Sequence, residues 1–319
     1  MSAAPRRARL RALAKINLGL KVLAKRADGY HELRTVFQTI SLADRLEAEF
    51  EPARRTRIEV VSRPEIPGNL VERAARLALE EMGVTGVARL KLTKRIPIGG
   101  GLGGGSSDAA AVLLALPVLA GRRLPLGRLM ELAAGLGSDV PFFLLGGTAV
   151  AVGRGTELYP LPDAPAVRGL VVAPEIEVPT AEAYRGLGRK LTSSMPFSMI
   201  GGFQSWVWER VASPRAGAGP EVGNDFEPVV FARYPGLETV KRKLERLGAR
   251  PAMLSGSGAA VFGLFASPPP VERARSWFPD ERLFEISLVG RARYRSLWWR
   301  QLSPHLRGKS WPPESRYAR

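Results

Sequence analysis

The sequence predicts a protein of mixed α and β structure, built as one large or two medium domains. The chain has 319 residues, which is more than one small domain usually contains. Hydrophobic residues make up 45% of the chain, enough to form a sizeable core. Segments with apolar residues at alternate positions are interspersed with segments that place them three and four apart. These two periods are those of strands and helices.

The first half of the chain contains most of the predicted strands. They are Leu10–Val22, Thr35–Leu42, Asp44–Phe50, Ile58–Val61, Ala88–Ile98 and Thr148–Val152. A short turn is expected between the second and the third. Helical spacing predicts helices over Asn69–Gly83, from the glycine-rich segment to about Leu116, and over Leu126–Leu136. Pro117 is expected to end or kink the second of these helices, because proline lacks a backbone N–H.

A short polar segment with proline, Asp163–Pro165, is expected to separate the two halves. The second half is predicted to contain a strand at Gly169–Ala173 and a loop at Ser255–Gly258 between apolar segments. Its predicted helices are Thr180–Leu187 with Thr180 as the cap, Trp206–Val211, Asn224–Phe231 and Gly236–Leu247. Two segments rich in Gly, Ser and Pro are predicted loops, Ser193–Phe203 and Ala212–Gly223.

The most informative segment is Pro97–Ala110, PIGGGLGGGSSDAA. Six of the seven residues from Gly99 to Gly105 are glycine, which adopts positive φ and lets the backbone approach a ligand. Two serines and an alanine-rich run follow, and they favour the start of a helix. Because a helix N-terminus has unpaired N–H groups and partial positive charge, the segment predicts a phosphate site.

Neither common nucleotide-binding motif accounts for this segment. No Gly-Lys-Ser/Thr follows, so it is not a Walker A loop, and a tract this dense in glycine matches G-x-G-x-x-G by chance. A flexible linker is the alternative. Linkers are not usually flanked by a strand-like run and a strong helix former, so the phosphate site is preferred.

Lys15 and Asn17 interrupt the first predicted strand. They are two residues apart, so their side chains share one face of a strand. A lysine in such a strand is either an edge residue whose ammonium reaches solvent, or a cation directed into a site. The spacing leaves both interpretations open.

Tyr30 and His31 directly follow a predicted turn at Asp28-Gly29. Together they are able to bind a planar ring by stacking and edge hydrogen bonds. A half-buried tyrosine beside a capping histidine is the alternative, and the local sequence favours it.

Asp139 lies between a Gly-Ser turn and the apolar run VPFFLL. A carboxylate at that position is costly to bury unless it is paired. It either caps a short helix, as Ser138 also could, or acts as a catalytic carboxylate. The two roles are compatible.

The overall charge and the residue types present limit the possible functions. The net charge of +17 attracts anions such as nucleotides, diphosphates, nucleic acid or acidic lipid. The absence of cysteine excludes disulfides and thiol catalysis, and two histidines, His31 and His305, do not make a histidine-rich metal site. No apolar run reaches the ~18 residues that span a bilayer. The basic N-terminus through Arg11 is interpreted as the start of the first strand rather than a targeting segment, which indicates a cytoplasmic protein.

The segment from Arg291 onward contains eight Lys/Arg residues and one acid, Glu314. It also contains Trp298, Trp299 and Trp311. The pattern fits a basic–aromatic arm for nucleic acid, or a solvated tail that packs its tryptophans on the body of the protein. The second interpretation is preferred.

Taken together, these parts suit phosphoryl transfer. That reaction needs positioning of phosphates, neutralisation of their charge, and a carboxylate that orients or deprotonates the accepting hydroxyl. The glycine segment, Lys15 and Asp139 supply residues of these types.

Three blocks of the sequence resemble the GHMP kinase superfamily. They are AKINLGL (Ala14–Leu20), PIGGGLGGGSSDAA and LSGSGAAVFGLF (Leu254–Phe265). Further stretches are similar to the branch of that superfamily that acts on a cytidine-diphosphate-linked methylerythritol. These stretches are RADGYHELRTVFQTISLAD (Arg26–Asp44), GLGSDVPFFLLGGTAVAVGRG (Gly135–Gly155), PTAEAY (Pro179–Tyr184) and NDFEP (Asn224–Pro228).

The resemblance implies an α+β fold of two lobes, an N-terminal ATP-binding lobe and a C-terminal lobe, with the active site in the cleft between them. We therefore expect GHMP kinase domains at residues 1–160 and 161–290, and a basic, tryptophan-containing C-terminal extension at 291–319. The implied activity is ATP-dependent phosphorylation of the C2 hydroxyl of the cytidine diphosphate-methylerythritol in the non-mevalonate isoprenoid pathway, with Mg²⁺ as cofactor. The small-molecule substrate is the expected partner of a monomer or homodimer, without nucleic acid or membrane.

The resemblance also implies roles for residues near the phosphates. Asp139 would be the catalytic base or orienting carboxylate, and Lys15 would pair with it. No residue is assigned to the metal; superfamily members often use a glutamate, for which Glu131 is only a candidate. Many relatives have asparagine where Asp108 stands. The residues implied to bind ATP are Pro97, Ile98, Gly99, Gly100, Gly101, Leu102, Gly103, Gly104, Gly105, Ser106 and Ser107.

On the substrate side, His31 would read the edge of the cytosine, while Tyr30 and Tyr184 would stack on its two faces. Asn17 would position the erythritol end. The full set implied for the substrate is Asn17, Tyr30, His31, Thr180, Tyr184, Gly256 and Gly258. Two alternatives remain: another alcohol kinase of the superfamily, of homoserine or mevalonate type, and a nucleic-acid-binding protein that uses the basic tail.

Overall fold

The computed structural model describes residues 4–163, 166–187, 201–205, 207 and 223–318. Two β-sheets with packed helices make up this part of the chain, so the prediction of mixed α and β structure is confirmed. No helix among the described residues has the length and apolar character needed to cross a bilayer.

The first sheet is formed by the N-terminal half of the chain. Its strands are β1 (Arg6–Lys25), β2 (His31–Pro52), β3 (Arg57–Arg63), β4 (Gly86–Thr93), β5 (Thr148–Gly153) and β6 (Glu157–Pro160). Their order is β3-β4-β2-β5-β6, and β1 pairs with β2 outside this path. β3 and β4 are parallel, and the other pairs are antiparallel.

β1 and β2 form a long hairpin of 20 and 22 residues. The turn predicted near Ala43 is wrong, because β2 continues through it. The pairing shifts there instead: Leu13 faces Ala43, whereas Lys15 faces Thr39. Such an irregularity bends a strand without ending it. The shift in pairing interrupts the alternation of apolar residues along β2 as a turn would. This explains why the sequence predicts a turn near Ala43.

Four helices pack on this sheet around one core. They are α1 (Leu70–Glu81), α2 (Gly104–Ala120), α3 (Leu126–Leu136) and α4 (Val140–Leu145). The predicted bounds of α3 are confirmed. The side chain of Asn69 caps α1 by accepting the N–H of Val71 at 3.1 Å.

α2 lies at the centre of the core, and 13 of its 17 residues are buried. A helix that is apolar on every side belongs in such a position. The helix continues past Pro117 to Ala120 and ends at Gly121, whose φ is +74°. The prediction that it ends near Leu116 is therefore wrong.

The second sheet is formed by the C-terminal half. Its strands are β7 (Arg168–Ala173), β8 (Ala252–Leu254), β9 (Val261–Phe265) and β10 (Arg282–Ser287), all antiparallel in the order β10-β7-β9-β8. Helices of this half whose bounds the structure gives are α5 (Thr180–Gly186), α6 (Glu227–Arg233), α7 (Pro235–Arg246) and α8 (Val271–Trp277). Leu20 and Val22 of β1 belong to the core of this second half, so β1 takes part in both.

Several predictions fall largely outside the described residues. They concern the separating segment Asp163–Pro165, the loops Ser193–Phe203 and Ala212–Gly223, and the helix Trp206–Val211. Within these segments the structure describes residues 201–203 and 207 as helical, together with residues 163 and 223.

The C-terminal extension returns to the first half of the molecule. It begins with α9 (Arg291–Gln301) and a 3₁₀ turn at Ser303–His305. Trp298 is only 1% exposed within the first core, and Trp311 packs against the same core. For these two residues, the prediction that the tail packs its tryptophans on the body is confirmed.

Candidate active site

The glycine-rich segment forms a loop that leads from β4 into α2. Gly99, Gly101 and Gly103 have φ values of +70°, +70° and +69°, which residues with a Cβ atom rarely adopt. Gly103 directly precedes the first residue of α2. Because the first amides of a helix have no partner within it, they point into the space before the helix. The loop therefore has the backbone geometry of an anion-binding cradle.

The two serines after the glycines differ in their surroundings. The hydroxyl of Ser107 is buried and donates to the carbonyl of Leu13 at 2.7 Å. Ser106 is half-buried at the start of α2. The Ser107 hydroxyl is thus already occupied within the core.

A second loop, Ser255–Ala260, lies directly against the glycine loop. The N–H groups of Ala259 and Ala260 donate to the carbonyls of Gly99 and Gly100, both at 3.2 Å. The Ser255 hydroxyl donates to the Gly101 carbonyl at 3.0 Å. The two small-residue loops therefore meet at one place.

Lys15 is directed into the interior, between the two loops and α4. Its side chain is only 4% exposed. The ammonium donates to Asn17 Oδ1 at 2.8 Å and to the Gly101 carbonyl at 2.9 Å, and it lies 3.3 Å from Asp139 Oδ2. Three oxygens compensate its removal from water. The interpretation of Lys15 as an edge residue is therefore wrong.

Asp139 occupies the position before the first turn of α4, and its side chain is 31% exposed. The carboxylate accepts no capping hydrogen bond from the helix. Its nearest charged partner is Lys15. The carboxylate is therefore not used as a cap and remains open toward the cavity described below.

Asn17 is held by a short chain of hydrogen bonds. Its Nδ2 donates to Thr35 Oγ1 at 2.8 Å, and that hydroxyl donates to the Gly19 carbonyl at 2.7 Å. These bonds orient Oδ1 of Asn17 toward the Lys15 ammonium. The hairpin of β1 and β2 thus fixes the position of the Lys15 ammonium through Asn17 and Thr35.

A cavity of about 790 Å³ opens next to this group and is lined from both halves of the molecule. Gly256 and Gly258 of the second loop were both expected to line the site. Gly256 lines the cavity. Gly258 does not, and its N–H donates to the Ser255 carbonyl at 3.0 Å within the loop. From the glycine loop, Gly101 and Gly103 line the cavity. The structure brings together at this cavity Lys15, Asn17, Tyr30, His31, Asp139, Thr180, Tyr184 and Gly256.

Aromatic residues form the far end of the cavity. The rings of His31 and Tyr184 are stacked with centres 4.5 Å apart, and Phe226 packs edge-on against Tyr184. Tyr30 is 50% exposed, and the Arg154 guanidinium lies 5.2 Å from its ring centre. One face of Tyr184 is therefore covered by His31 in this structure.

Burial changes the ionisation of two of these residues. Desolvation, and then the charge of Asp139, raises the pKa of Tyr184 to about 12, so its hydroxyl stays protonated. Desolvation, and then the charge of Lys25, lowers the pKa of His31. The imidazole is consequently neutral at pH 7.

Thr180 is the first residue of α5, and Pro179 occupies the cap position instead of it. The Thr180 hydroxyl lies 3.2 Å from the Ser257 hydroxyl. It therefore connects α5 to the second loop rather than capping its own helix.

Two residues at or next to the site are not among those predicted from the sequence. The Nδ2 of Asn224 supports the second loop by donating to the carbonyls of Leu254 and Gly256, at 2.9 and 2.6 Å. Arg154 lines the cavity. Both lie in stretches that carry the family resemblance, NDFEP and GLGSDVPFFLLGGTAVAVGRG, and that is the signal by which the sequence points to them.

A buried charged cluster supports the corner between β4 and the glycine loop. The Lys94 ammonium binds the carboxylates of Asp44 and Asp108, and it lies 3.1 Å from where a Cβ atom at Gly104 would be. Burial, which outweighs the attraction of Lys94, raises the pKa of Asp108 to about 7.

Metal-binding side chains are sparse at this site. The described part of the chain contains no group of three His, Asp or Glu residues arranged to hold a metal ion. Glu131 pairs with Arg128 on α3, and its side chain is 62% exposed. It lies outside the cavity lining, which removes it as the candidate considered from the sequence.

Comparison with known proteins identifies the family. Residues 69–147 match the GHMP kinases N terminal domain, and residues 215–280 match the GHMP kinases C terminal domain. The chain is 56% identical over 316 residues to the 4-diphosphocytidyl-2-C-methyl-D-erythritol kinase of Solibacter usitatus (strain Ellin6076), covering 98% of each chain. It is 39% identical to the protein of the same name from Geobacter sp. (strain M21), over 84% of this chain and 96% of the relative.

Solved structures agree with this relationship. A crystal structure of 4-(cytidine 5'-diphospho)-2C-methyl-D-erythritol kinase is 41% identical and superposes with a TM-score of 0.72, covering 88% of this chain and 99% of the other. A homoserine kinase from Cytophaga hutchinsonii shares the fold at 20% identity, with a TM-score of 0.68 over 89% of this chain and 95% of the other. The expected α+β GHMP kinase fold is confirmed. The chain therefore belongs to the GHMP kinases, which are ATP-dependent small-molecule kinases, and within them to the family of 4-diphosphocytidyl-2-C-methyl-D-erythritol kinases.

Proposed function

We propose that this protein transfers the γ-phosphoryl group of ATP to the C2 hydroxyl of 4-diphosphocytidyl-2-C-methyl-D-erythritol, a step of the non-mevalonate isoprenoid pathway. The observation that carries the proposal is one cavity with two different ends. The Lys15–Asp139 pair and the glycine loop form one end, and the aromatic cluster with His31 forms the other. An alcohol linked to a cytidine diphosphate has a hydroxyl that suits the Lys15–Asp139 end and a cytosine ring that suits the aromatic end.

At the reacting end, Asp139 orients or deprotonates the hydroxyl that attacks the phosphorus. Its carboxylate is partly open to the cavity and forms no capping bond, so it is able to accept a hydrogen bond from an alcohol. The Lys15 ammonium, 3.3 Å away, stabilises negative charge that develops on the attacking oxygen. The bonds from Lys15 to Asn17 and Gly101 keep this cation in place.

The glycine loop, from Pro97 to Ser107, holds the ATP phosphates against the amides that open α2. Its support for this role is the run of positive φ values and the helix N-terminus behind them. Mg²⁺ completes the site in this proposal. Magnesium usually keeps several waters and binds through one or two protein oxygens together with substrate phosphates, so a site with the single carboxylate Asp139 suits it.

The aromatic end binds the cytosine. The neutral imidazole of His31 donates and accepts hydrogen bonds at the edge of the base. Tyr30 supplies an exposed ring face for stacking. Tyr184 stacks on the base once the His31 ring, which covers one of its faces, turns to the edge of the base. Asn17, Thr180 and Gly256 also line the cavity and contact the erythritol and diphosphate part.

The experiment that tests the substrate is an assay of ADP release. The purified protein is supplied with ATP and either the cytidine-diphosphate substrate or methylerythritol phosphate without the cytidylyl group. We expect turnover to depend on the cytidine part. Parallel assays with homoserine and with mevalonate test the alternative alcohols. Equal turnover of the two methylerythritol compounds, or turnover only with homoserine or mevalonate, would contradict the proposal.

The catalytic role of Asp139 is tested by Asp139→Asn. Loss of the carboxylate is expected to lower kcat by about 10²–10⁴-fold, while ADP binding and the thermal unfolding midpoint stay close to those of the wild type. Asp280→Asn, which changes an exposed carboxylate outside the cavity in the same way, is the control. Full activity of Asp139→Asn would remove this residue from the mechanism.

A further inference from the structure

The C-terminal extension, defined here as Arg291–Ala318, contacts both helices that begin at the site. It lies beyond the two matched family segments, the second of which ends at residue 280. The sequence suggested only a basic tail that packs its tryptophans. Its polar contacts with α4 and α2 show a more specific arrangement.

The extension satisfies carbonyl groups at the end of α4. The Tyr294 hydroxyl donates to the Phe143 carbonyl at 2.6 Å, and the Trp311 indole N–H donates to the Leu144 carbonyl at 3.0 Å. The last carbonyls of a helix receive no hydrogen bond from an N–H group of the same helix. Two side chains of the extension therefore provide the bonds that the final turn of α4 cannot make itself.

The extension also bonds the end of α2, at a carbonyl that accepts the Gly121 N–H as well, at 3.3 Å. The hydroxyl of Ser315 donates to the Val118 carbonyl at 2.7 Å, and Ser315 is buried. α2 begins at the glycine loop, and α4 begins directly after Asp139. The extension thus caps the far ends of the two helices whose near ends form the site.

Close packing accompanies these bonds. The Tyr294 ring lies against Gly146, where an added Cβ atom would be 2.3 Å from the ring. The Phe143 ring lies against Gly103, where an added Cβ atom would be 2.9 Å from the ring. Phe143 is therefore held between Tyr294 on one side and the glycine loop on the other.

α4 depends on outside contacts for its position. It has only six residues, all of them buried, and its side-chain cap is missing. A helix this short has few hydrogen bonds of its own. A shift of its final turn would be transmitted to Asp139 at its start.

We propose that Tyr294 and Trp311 are positioning residues for Asp139, and that the C-terminal extension thereby sets the rate of the reaction from outside the site. Neither residue lines the cavity. They act by fixing α4, so that the Asp139 carboxylate faces the accepting hydroxyl. This inference rests on the proposed function of Asp139.

The test uses the full-length protein with Tyr294→Phe, which keeps the ring and removes only the hydroxyl. Because small misplacements of catalytic groups cost up to 10²-fold, kcat is expected to fall by about tenfold. The KM values and the dissociation constant of ADP, measured by calorimetry, should change by less than about twofold, since neither binding site loses a contact. Trp311→Phe is expected to show the same pattern and serves as the second variant if Tyr294→Phe does not fold.

Tyr317→Phe is the matched control. It removes a tyrosine hydroxyl of the same extension, one that bonds His305 at 3.2 Å and not α4. Its kcat should equal that of the wild type. In the Asp139→Asn background, Tyr294→Phe should lower the residual turnover no further, because the two residues act through one group.

Two results would overturn this inference. One is a Tyr294→Phe protein that unfolds at a lower temperature yet keeps the wild-type kcat. The other is an equal loss of turnover from Tyr294→Phe with and without Asp139. If Asp139→Asn itself retained full turnover, the proposed role of Asp139 would fail instead, so the two failures are distinguishable.

Discussion

His31 illustrates how the surroundings of a single residue determine its chemistry. The chain has two histidines, and His31 is the one that follows the predicted turn at Asp28-Gly29. The local sequence favours a capping role for it. In the structure its ring stacks on Tyr184 and lines the cavity. Burial lowers its pKa, so the neutral form is present at physiological pH.

We predict that His31→Ala raises the KM for the cytidine substrate by about tenfold, since one or two hydrogen bonds to the base are lost. The KM for ATP should not change. As the pH falls through the pKa of His31, which burial lowers from its usual value, the wild-type imidazole gains a proton and loses its acceptor. The wild-type KM for the substrate should therefore rise as the pH falls, and the variant should lack this rise.

Steady-state kinetics from about pH 5.5 to about pH 8 would measure both effects across the range in which histidine titrates. An equal rise in the KM of ATP and of the cytidine substrate would contradict a role for His31 at the base.

Lys15 shows what the sequence was unable to decide at this scale. Its spacing from Asn17 indicated a shared face, and the hydrogen bond between them at 2.8 Å confirms that part. Whether the ammonium points to solvent or to a site depends on what covers the strand. The covering groups, Gly101 and Asp139, lie 86 and 124 residues further along the chain.

At the scale of elements, the contact between the two loops is the tightest feature of the site. An added Cβ atom at Gly101 would lie 1.9 Å from the Ser255 carbonyl oxygen, and Gly101 has a φ of +70°. No side chain other than hydrogen fits without separating the loops. The contact with the Ser255 carbonyl is therefore the reason why position 101 requires glycine.

We predict that Gly101→Ala lowers the free energy of unfolding by about 2–5 kcal/mol, through overpacking together with strain in the left-handed conformation. It should also abolish detectable ADP binding, because the cradle opens. Gly135→Ala is the control. Gly135 lies in α3 with nothing within 4 Å of an added Cβ atom, so this variant should be at least as stable as the wild type.

Chemical denaturation and ADP titration of both variants would test this prediction. Wild-type stability and ADP binding in Gly101→Ala would show that the loops are not in close contact.

Elements were predicted well where local periodicity decides them and poorly where packing does. α3 was predicted with its observed bounds, because apolar residues recur at helical spacing along its whole length. The error at Ala43 arose because a shift in strand pairing has no local signature that differs from a turn. α2 continues through Pro117 because it is buried on all sides.

At the scale of the molecule, the net charge of +17 bears on substrate capture. Both proposed substrates are polyanions, and a positive protein field raises their encounter rate. The described cavity contains Lys15, Lys25 and Arg154. The field of the whole surface therefore adds to a cationic site.

We predict that kcat/KM for both substrates falls several-fold between about 0.01 M and about 0.15 M ionic strength, as the Debye length shrinks from ~30 Å to ~8 Å. At saturating substrate, kcat should change little, because screening acts on the encounter. Initial rates in sodium chloride, with sucrose at matched osmolarity as the control, would measure this. A kcat/KM independent of salt would show that surface charge plays no part in capture.

The two-lobed fold and its family came from sequence motifs, whereas the role of the C-terminal extension did not. Motifs carry the resemblance because they form the site. The extension lies outside them, and its contacts with Phe143 and Leu144 follow from tertiary structure alone. The division at residues 160 and 290 stays a prediction.

β1 passes through three clusters of buried residues. Leu13 lies in that of the first half, Ile16 and Leu18 lie in one that joins the two sheets, and Leu20 and Val22 lie in that of the second half. Its pairing with β2 shifts between Leu13 and Lys15, between Asn17 and Leu20, and between Val22 and Ala24, so the strand bends as it passes from one half to the other. A substitution that displaces β1 would therefore disturb the packing of both halves together. The long hairpin thus couples the two halves, and damage to it is shared between them instead of being confined to one.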